Sequence, residues 1–224
     1  MRQLEIACFN LESAVIAEQG GADRIELCEN QLLGGTTPGF EMIREACNRI
    51  KIDVYVMIRP RGGNFQYTPE ELEQMKADII RMKTLPVKGF VFGVLDQQNA
   101  VAIKENTELV QLASPLTCTF HRAFDEIPDL EQAIDDLVRC GFSTILTSGG
   151  HANVDEGERT LMGLVAYAGK RIAIMPGGGL RSTNIFRIAT RTNAGFYHSS
   201  AITDTSGIAT IDEVKALKKN LAEV

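Results

Sequence analysis

The stretch LTCTFHRAFD, residues 116–125, ends a short apolar run in His121, Arg122 and Asp125. An imidazole can gain or lose a proton near neutral pH, and an arginine and a carboxylate beside it can contact a ligand or orient the ring. Asp125 serves equally well as a turn or helix-capping residue. A second group lies in RPRGG, residues 59–63, where Arg59 and Arg61 bracket a proline that narrows the backbone between them. Two guanidinium groups so placed suit a carboxylate or a phosphate. A third lies in MPGGGLRSTN, residues 175–184, and in HSSA, residues 198–201. There Gly177, Gly178 and Gly179 let backbone N–H groups approach an anion, while Ser182, Asn184, Ser199 and Ser200 add polar contacts. The same glycines would serve simply as tight turns. Ser148, in LTSGG, adds a similar backbone-rich edge, whereas His151 in GGHANVDEG is expected to be exposed and idle.

Such groups need regular elements to position them, and strand and helix patterns alternate along the whole chain. Apolar, β-branched runs occur at Leu4–Cys8, Arg24–Cys28, Val54–Arg59, Gly89–Leu95, Leu116–His121, Thr144–Ser148, Arg171–Met175 and Gly195–Ser199. Helical patterns follow, at Phe40–Arg49, Pro69–Lys83, Pro128–Cys140, Thr183–Thr190 and Asp212–Leu221 among others. The clearest start is Thr68 as N-cap with Glu71 three residues on. Eight strand–helix units in 224 residues, with no linker between halves, predict one domain over residues 1–224, a (β/α)8 TIM barrel. A doubly wound open sheet competes on strand count, but the first strand runs into CFNLES without the glycine fingerprint such a sheet carries there.

Composition narrows the function. A net charge of −6 and a pI near 5.2 argue against nucleic acid, although a local arginine cluster can still bind a small anion. No run approaches the roughly 18 apolar residues of a membrane span, and Glu5 and Glu12 interrupt any signal-peptide core. Five scattered cysteines without a CxxC pair fit free thiols in a reducing cytoplasm.

Alternation along the strands assigns faces. Leu4, Ile6 and Cys8 face the helices, leaving Glu5 and Ala7 inside; Ile25 and Leu27 face out, leaving Arg24, Glu26 and Cys28 inside. Likewise Tyr55, Met57 and Arg59 point inward in VYVMIR, and Thr117, Thr119 and His121 in LTCTFH. Glu5, Glu26, Arg59 and His121 therefore converge on the interior, either as an ion network that plugs the barrel or as a site at the carboxyl-terminal mouth, where barrel enzymes work. His198 ends the eighth strand in the same way.

The motifs ADRIELC, VMIRPRGGNF, VFGVL, TFHRAFD, LTSGG, MPGGG and HSSA together resemble the CutC family, named for copper homeostasis, through nearly all of the chain. The resemblance implies a (β/α)8 barrel, usually cytoplasmic and often homo-oligomeric, linked to copper handling or copper(I) binding. The family's copper cysteines lie late in the first two strands. The second corresponds to Cys28, whereas the first corresponds to Ala7 rather than Cys8. Because a one-residue offset moves a side chain to the other face of a strand, Cys28 is the metal candidate, with Met57 as a soft neighbour, and Cys8 is expected to be a small buried hydrophobe.

Read from the residues themselves, the constellation favours an enzyme acting on a small anionic or phosphorylated molecule. His121, Glu26 and Glu5 are then the acid–base candidates, with Arg59, Arg61, Arg122, Asp125, Ser148, His198 and the MPGGG and HSSA loops binding substrate. A non-catalytic anion-binding barrel keeps the loops and gives the carboxylates to structure.

Overall fold

A computed structural model describes residues 2–224. Strands and helices alternate as β1 Gln3–Cys8, α1 Leu11–Gln19, β2 Arg24–Leu27, α2 Phe40–Arg49, β3 Asp53–Met57, α3 Pro69–Met82, β4 Gly89–Phe92 and α4 Ile103–Ala113. The second half continues with β5 Thr117–Phe120, α5 Leu130–Cys140, β6 Thr144–Thr147, α6 Glu158–Ala168, β7 Ala173–Pro176, α7 Ser182–Thr192, β8 Phe196–Ser199 and α8 Ile211–Ala222. All strand pairs are parallel, in the order β7-β6-β5-β4-β3-β2-β1-β8. The last seam, between β7 and β8, is closed by contact rather than by a ladder. Gly177 lies against His198 there, and a Cβ on it would stand 3.0 Å from the His198 Cβ. The fold is a nearly closed (β/α)8 TIM barrel.

The period-2 pattern sorts the side chains as expected. Leu4, Ile6, Cys8, Ile25, Leu27, Val54, Val56 and Phe120 join the core between strands and helices, whereas Cys28, Tyr55, Met57 and Val91 cluster inside. Fully burying a large apolar side chain contributes about 1.5–3 kcal/mol, so a register slip that reversed these faces would be heavily disfavoured. At the amino-terminal end Tyr55 crosses the barrel and shares a 2.9 Å hydrogen bond with Thr117. Gly89 makes room for its ring, since a Cβ there would lie 2.3 Å from Tyr55 Cε1.

Helix α3 carries the expected capping box, with Thr68 accepting from the Glu71 N–H and Glu71 returning the bond. Several strands end earlier than the sequence pattern, leaving Cys28, Arg59, His121 and Ser148 just beyond the ladders. The cause is visible at His121. Its N–H still donates to Phe92 O, but its Nδ1 accepts the Ala123 N–H and starts a short 3-10 turn over Arg122–Glu126. The chain thus turns where the polar side chains begin.

Candidate active site

Ladder register brings the interior charges together. Glu5 on β1 lies opposite Arg24 on β2 and opposite His198 on β8. Its fully buried carboxylate meets Arg24 Nε at 2.6 Å and His198 Nδ1 at 2.8 Å. The Arg24 guanidinium sits against the Tyr55 and Phe196 rings, 4.3 and 4.6 Å from their centroids. Burial pushes Glu5 up, but the Arg24 charge and the His198 hydrogen bond outweigh it and hold the carboxyl below its ordinary value. Burial also opposes a charged His198, yet the Glu5 hydrogen bond and the Glu26 and Glu5 charges raise its pKa. Glu5 is therefore an ion-network residue beneath His198 and does not line the cavity above.

That cavity, of about 210 Å³, lies at the carboxyl-terminal mouth. Glu26, Arg59, His121, Arg122, Arg181 and His198 line it, with Gly178, Gly179, Ser199 and Ser200 along one side and Ala7, Phe9, Met57 and Phe65 along another. Three buried polar atoms of the lining have no hydrogen-bond partner among the described residues, Glu26 Oε1, His121 Nε2 and Arg59 Nε. Burial, only partly countered by the His198 charge, raises the Glu26 carboxyl above its ordinary value. Its Oε2 accepts from Cys28 Sγ at 3.4 Å and stands 3.9 Å from His198 Nε2. Burial and then the Arg59 charge depress His121 to about 3, so its imidazole is neutral. Because Nδ1 accepts the Ala123 N–H at 3.3 Å, the ring proton belongs on Nε2.

Not every residue singled out in the sequence reaches the cavity. Arg61 pairs with Glu71 at 2.6 Å and donates to the carbonyls of Gly62, Asn64 and Gln66, because its loop folds back towards α3. Arg59 does line the cavity, but its terminal nitrogens are occupied by Leu33 O, Gly35 O and Gly63 O. Asp125 accepts from Thr147 Oγ1, from the N–H groups of Ser148 and Gly150, and from Arg122 Nε, tying the loop after β5 to the end of β6. Ser148 joins that knot through Arg122 Nη2. Gly177 spends its N–H on Thr147 O. Asn184 caps Arg181 N, while Ser182 N and Oγ both bond Glu213 on α8. A carboxylate therefore already occupies the positive end of α7. His151 is exposed, and its ring meets Thr160.

Arg181 is a further residue of the site, beyond the glycines and serines that the motifs single out. Its guanidinium bends over Ser199 Oγ at 3.2 Å and Ser200 Oγ at 3.4 Å and also donates to Leu180 O and Ile202 O. An arginine two residues past a glycine run was the available signal. Phe9 and Phe65 carried none, since isolated aromatics have no spacing rule.

Comparison with known proteins adds a lineage to this geometry. The model of the CutC family matches residues 2–203. The chain belongs to the CutC family. The copper homeostasis protein cutC homolog of Mus musculus is 43% identical over 198 residues, covering 88% of this chain and 73% of its own. A CutC family protein of Parabacteroides distasonis is 42% identical over 201 residues, covering 89% and 83%. The crystal structure of CutC from Streptococcus agalactiae superposes with a TM-score of 0.85 at 37% identity, over 89% of this chain and 99% of that one.

Membership in CutC makes copper(I) the metal to test against these side chains. Cys28 is buried beside Met57, and burial followed by the Glu26 charge pushes its thiol well above the ordinary range. Cys8 packs on the helix side of β1 with Ile6 and Leu27, and burial pushes its thiol up as well. Ala7 holds the inward position beside Glu26. Copper(I) is bound by deprotonated soft ligands, and here one protonated thiol faces inward while the other faces away. These residues do not fit a two-thiolate copper(I) centre. Among the described residues no group of three or more His, Cys, Asp and Glu could hold a metal.

Proposed function

We propose that this CutC barrel is an enzyme for a small anionic metabolite, with Glu26 as its proton-transferring group. One observation carries the reading: three arginines, Arg59, Arg122 and Arg181, line the same cavity as Glu26 in a chain of net charge −6. Local positive charge against the global sign favours an anion, and the cavity lies below the roughly 300–1,000 Å³ usual for drug-sized ligands. Gly178 and Gly179, at φ 99° and 75°, and the hydroxyls of Ser199 and Ser200 supply close-approach donors. Arg181, poised over those hydroxyls, gives the charge, so the anion is read as a phosphate or carboxylate. A carboxyl raised by burial suits proton transfer near neutral pH.

Calorimetry with inorganic phosphate and phosphorylated three- to five-carbon acids and sugars, on the wild type and on Arg181→Met, tests this. Binding that falls at least tenfold in the variant is expected. Equal affinity in both proteins, or no binding to either, sinks the reading.

A further inference from the structure

We infer that the cavity abstracts a proton from carbon next to a carbonyl group in a small phosphorylated hydroxycarbonyl compound, Glu26 taking the proton and His121 Nε2–H holding the carbonyl oxygen. This deepens the proposed function and rests on its anion site. It starts from two of the buried atoms left without partners, an acceptor at Glu26 Oε1 on β2 and a donor at His121 Nε2 just past β5, which line one cavity.

The tautomer is set by backbone geometry. The Ala123 N–H occupies Nδ1, so the free nitrogen presents a hydrogen. Phe65 and Phe120 pack on the ring at 4.7 and 5.9 Å between centroids and fix its plane. A neutral imidazole so held is a poor base but a well-placed donor to an oxygen that gains charge. A carboxylate base and such a donor lining one cavity, with an anion clamp beside them, suit enolisation. No lysine lines the cavity, so an amine for imine chemistry is not among its side chains. Burial, and then the nearby Arg59 charge, keep the imidazole neutral.

In the step itself the carbon–hydrogen bond breaks and its proton goes to Glu26 Oε1. The electron pair forms a carbon–carbon double bond, and the carbonyl oxygen becomes an enolate oxygen bonded to His121 Nε2–H. Return of the proton to the neighbouring carbon, with the hydroxyl proton passing to the former carbonyl oxygen through His121, completes an aldose–ketose interconversion without any oxidant or cofactor. His198, 3.9 Å from Glu26 Oε2, and Glu5 behind it are positioning residues.

The experiment is proton NMR in deuterium oxide with dihydroxyacetone phosphate, erythrose 4-phosphate and ribulose 5-phosphate as probes, alongside calorimetry on the same samples. Enzyme-dependent loss of the α-proton signal is expected for at least one probe. Glu26→Gln should slow it by about 10²–10⁴-fold and His121→Asn, which keeps an acceptor for the Ala123 N–H, by about 10²–10³-fold, with binding retained. Glu26→Gln should fold, because it removes a buried charge rather than creating one. Binding without exchange overturns the proton-transfer step and leaves the anion site standing. Absence of binding for every probe overturns both, and exchange unchanged in Glu26→Gln removes Glu26 from the role.

Discussion

The neutral state of His121 has a measurable cost in acid. Its pKa is depressed to about 3 in the folded protein against 6.5 ordinarily, because the ring is buried and Arg59 lies near. Below pH 6.5 the unfolded chain binds a proton at this position that the native state refuses. Stability therefore rises with pH between about 3 and 6.5, and falls as acid is added through that window. At about 1.36 kcal/mol per pH unit, moving to about pH 5 removes about 2 kcal/mol through His121 alone, and reaching about pH 3, where the folded ring begins to titrate, removes about 4 kcal/mol. His198 works with the opposite sign. Its raised pKa gives stability that is full below 6.5 and fades as pH rises through the folded value. The comparison must therefore isolate His121. Urea unfolding of the wild type and of His121→Asn between about pH 7 and about pH 5 does so, since the variant keeps the Nδ1-like acceptor and every other titrating group. The wild type should lose about 2 kcal/mol more than the variant over that interval. Nitrogen NMR should show the ring proton on Nε2 throughout. Equal losses in the two proteins, or an imidazole titrating near 6.5, would refute the neutral buried ring, and a ring proton found on Nδ1 would refute the tautomer and with it the donor role.

Arg24→Met should destabilise the fold by about 3–5 kcal/mol by leaving the fully buried Glu5 without its cation; a loss under about 1 kcal/mol would mean that His198 alone satisfies it. Arg61→Ala, by contrast, should leave phosphate affinity within about twofold and cost at most about 1 kcal/mol of stability, since its partly exposed pair with Glu71 is remote from the cavity. A larger affinity loss in calorimetry would return Arg61 to the site. Gly178→Val should weaken phosphate binding at least tenfold, because a Cβ at φ 99° would press on Arg122 Cζ at 3.1 Å; unchanged affinity would reduce the glycine to a turn-former. Anaerobic copper(I) titration against a competing chelator should show no tight one-to-one binding, and binding lost in either Cys8→Ser or Cys28→Ser would show that the two thiols cooperate across β1.

The sequence by itself determined the barrel and the faces of its strands. A period of 2 bounded by turns is a local property, and burying Ile6 and Leu27 outward obliges Glu5 and Glu26 to point in. The outward face of Cys8 follows from the same rule, as does the inward face of Glu26, Arg59 and His121. Partnership was decided only by the tertiary structure. Register put Glu5 between Arg24 and His198, which turned one acid–base candidate into a support for the next. Loop closure sent Arg61 to Glu71 and bent Arg181 over Ser199 and Ser200, although both arginines stand within two residues of a glycine run. Glu213, from the last helix, reached the start of α7 across 31 residues of chain and took the donors that Ser182 seemed to offer. The distinction is physical. Face and period depend on the nearest few residues, whereas the partner of a long, charged side chain depends on which distant backbone and side-chain atoms arrive within 3 Å or so of it, where its charge can be satisfied.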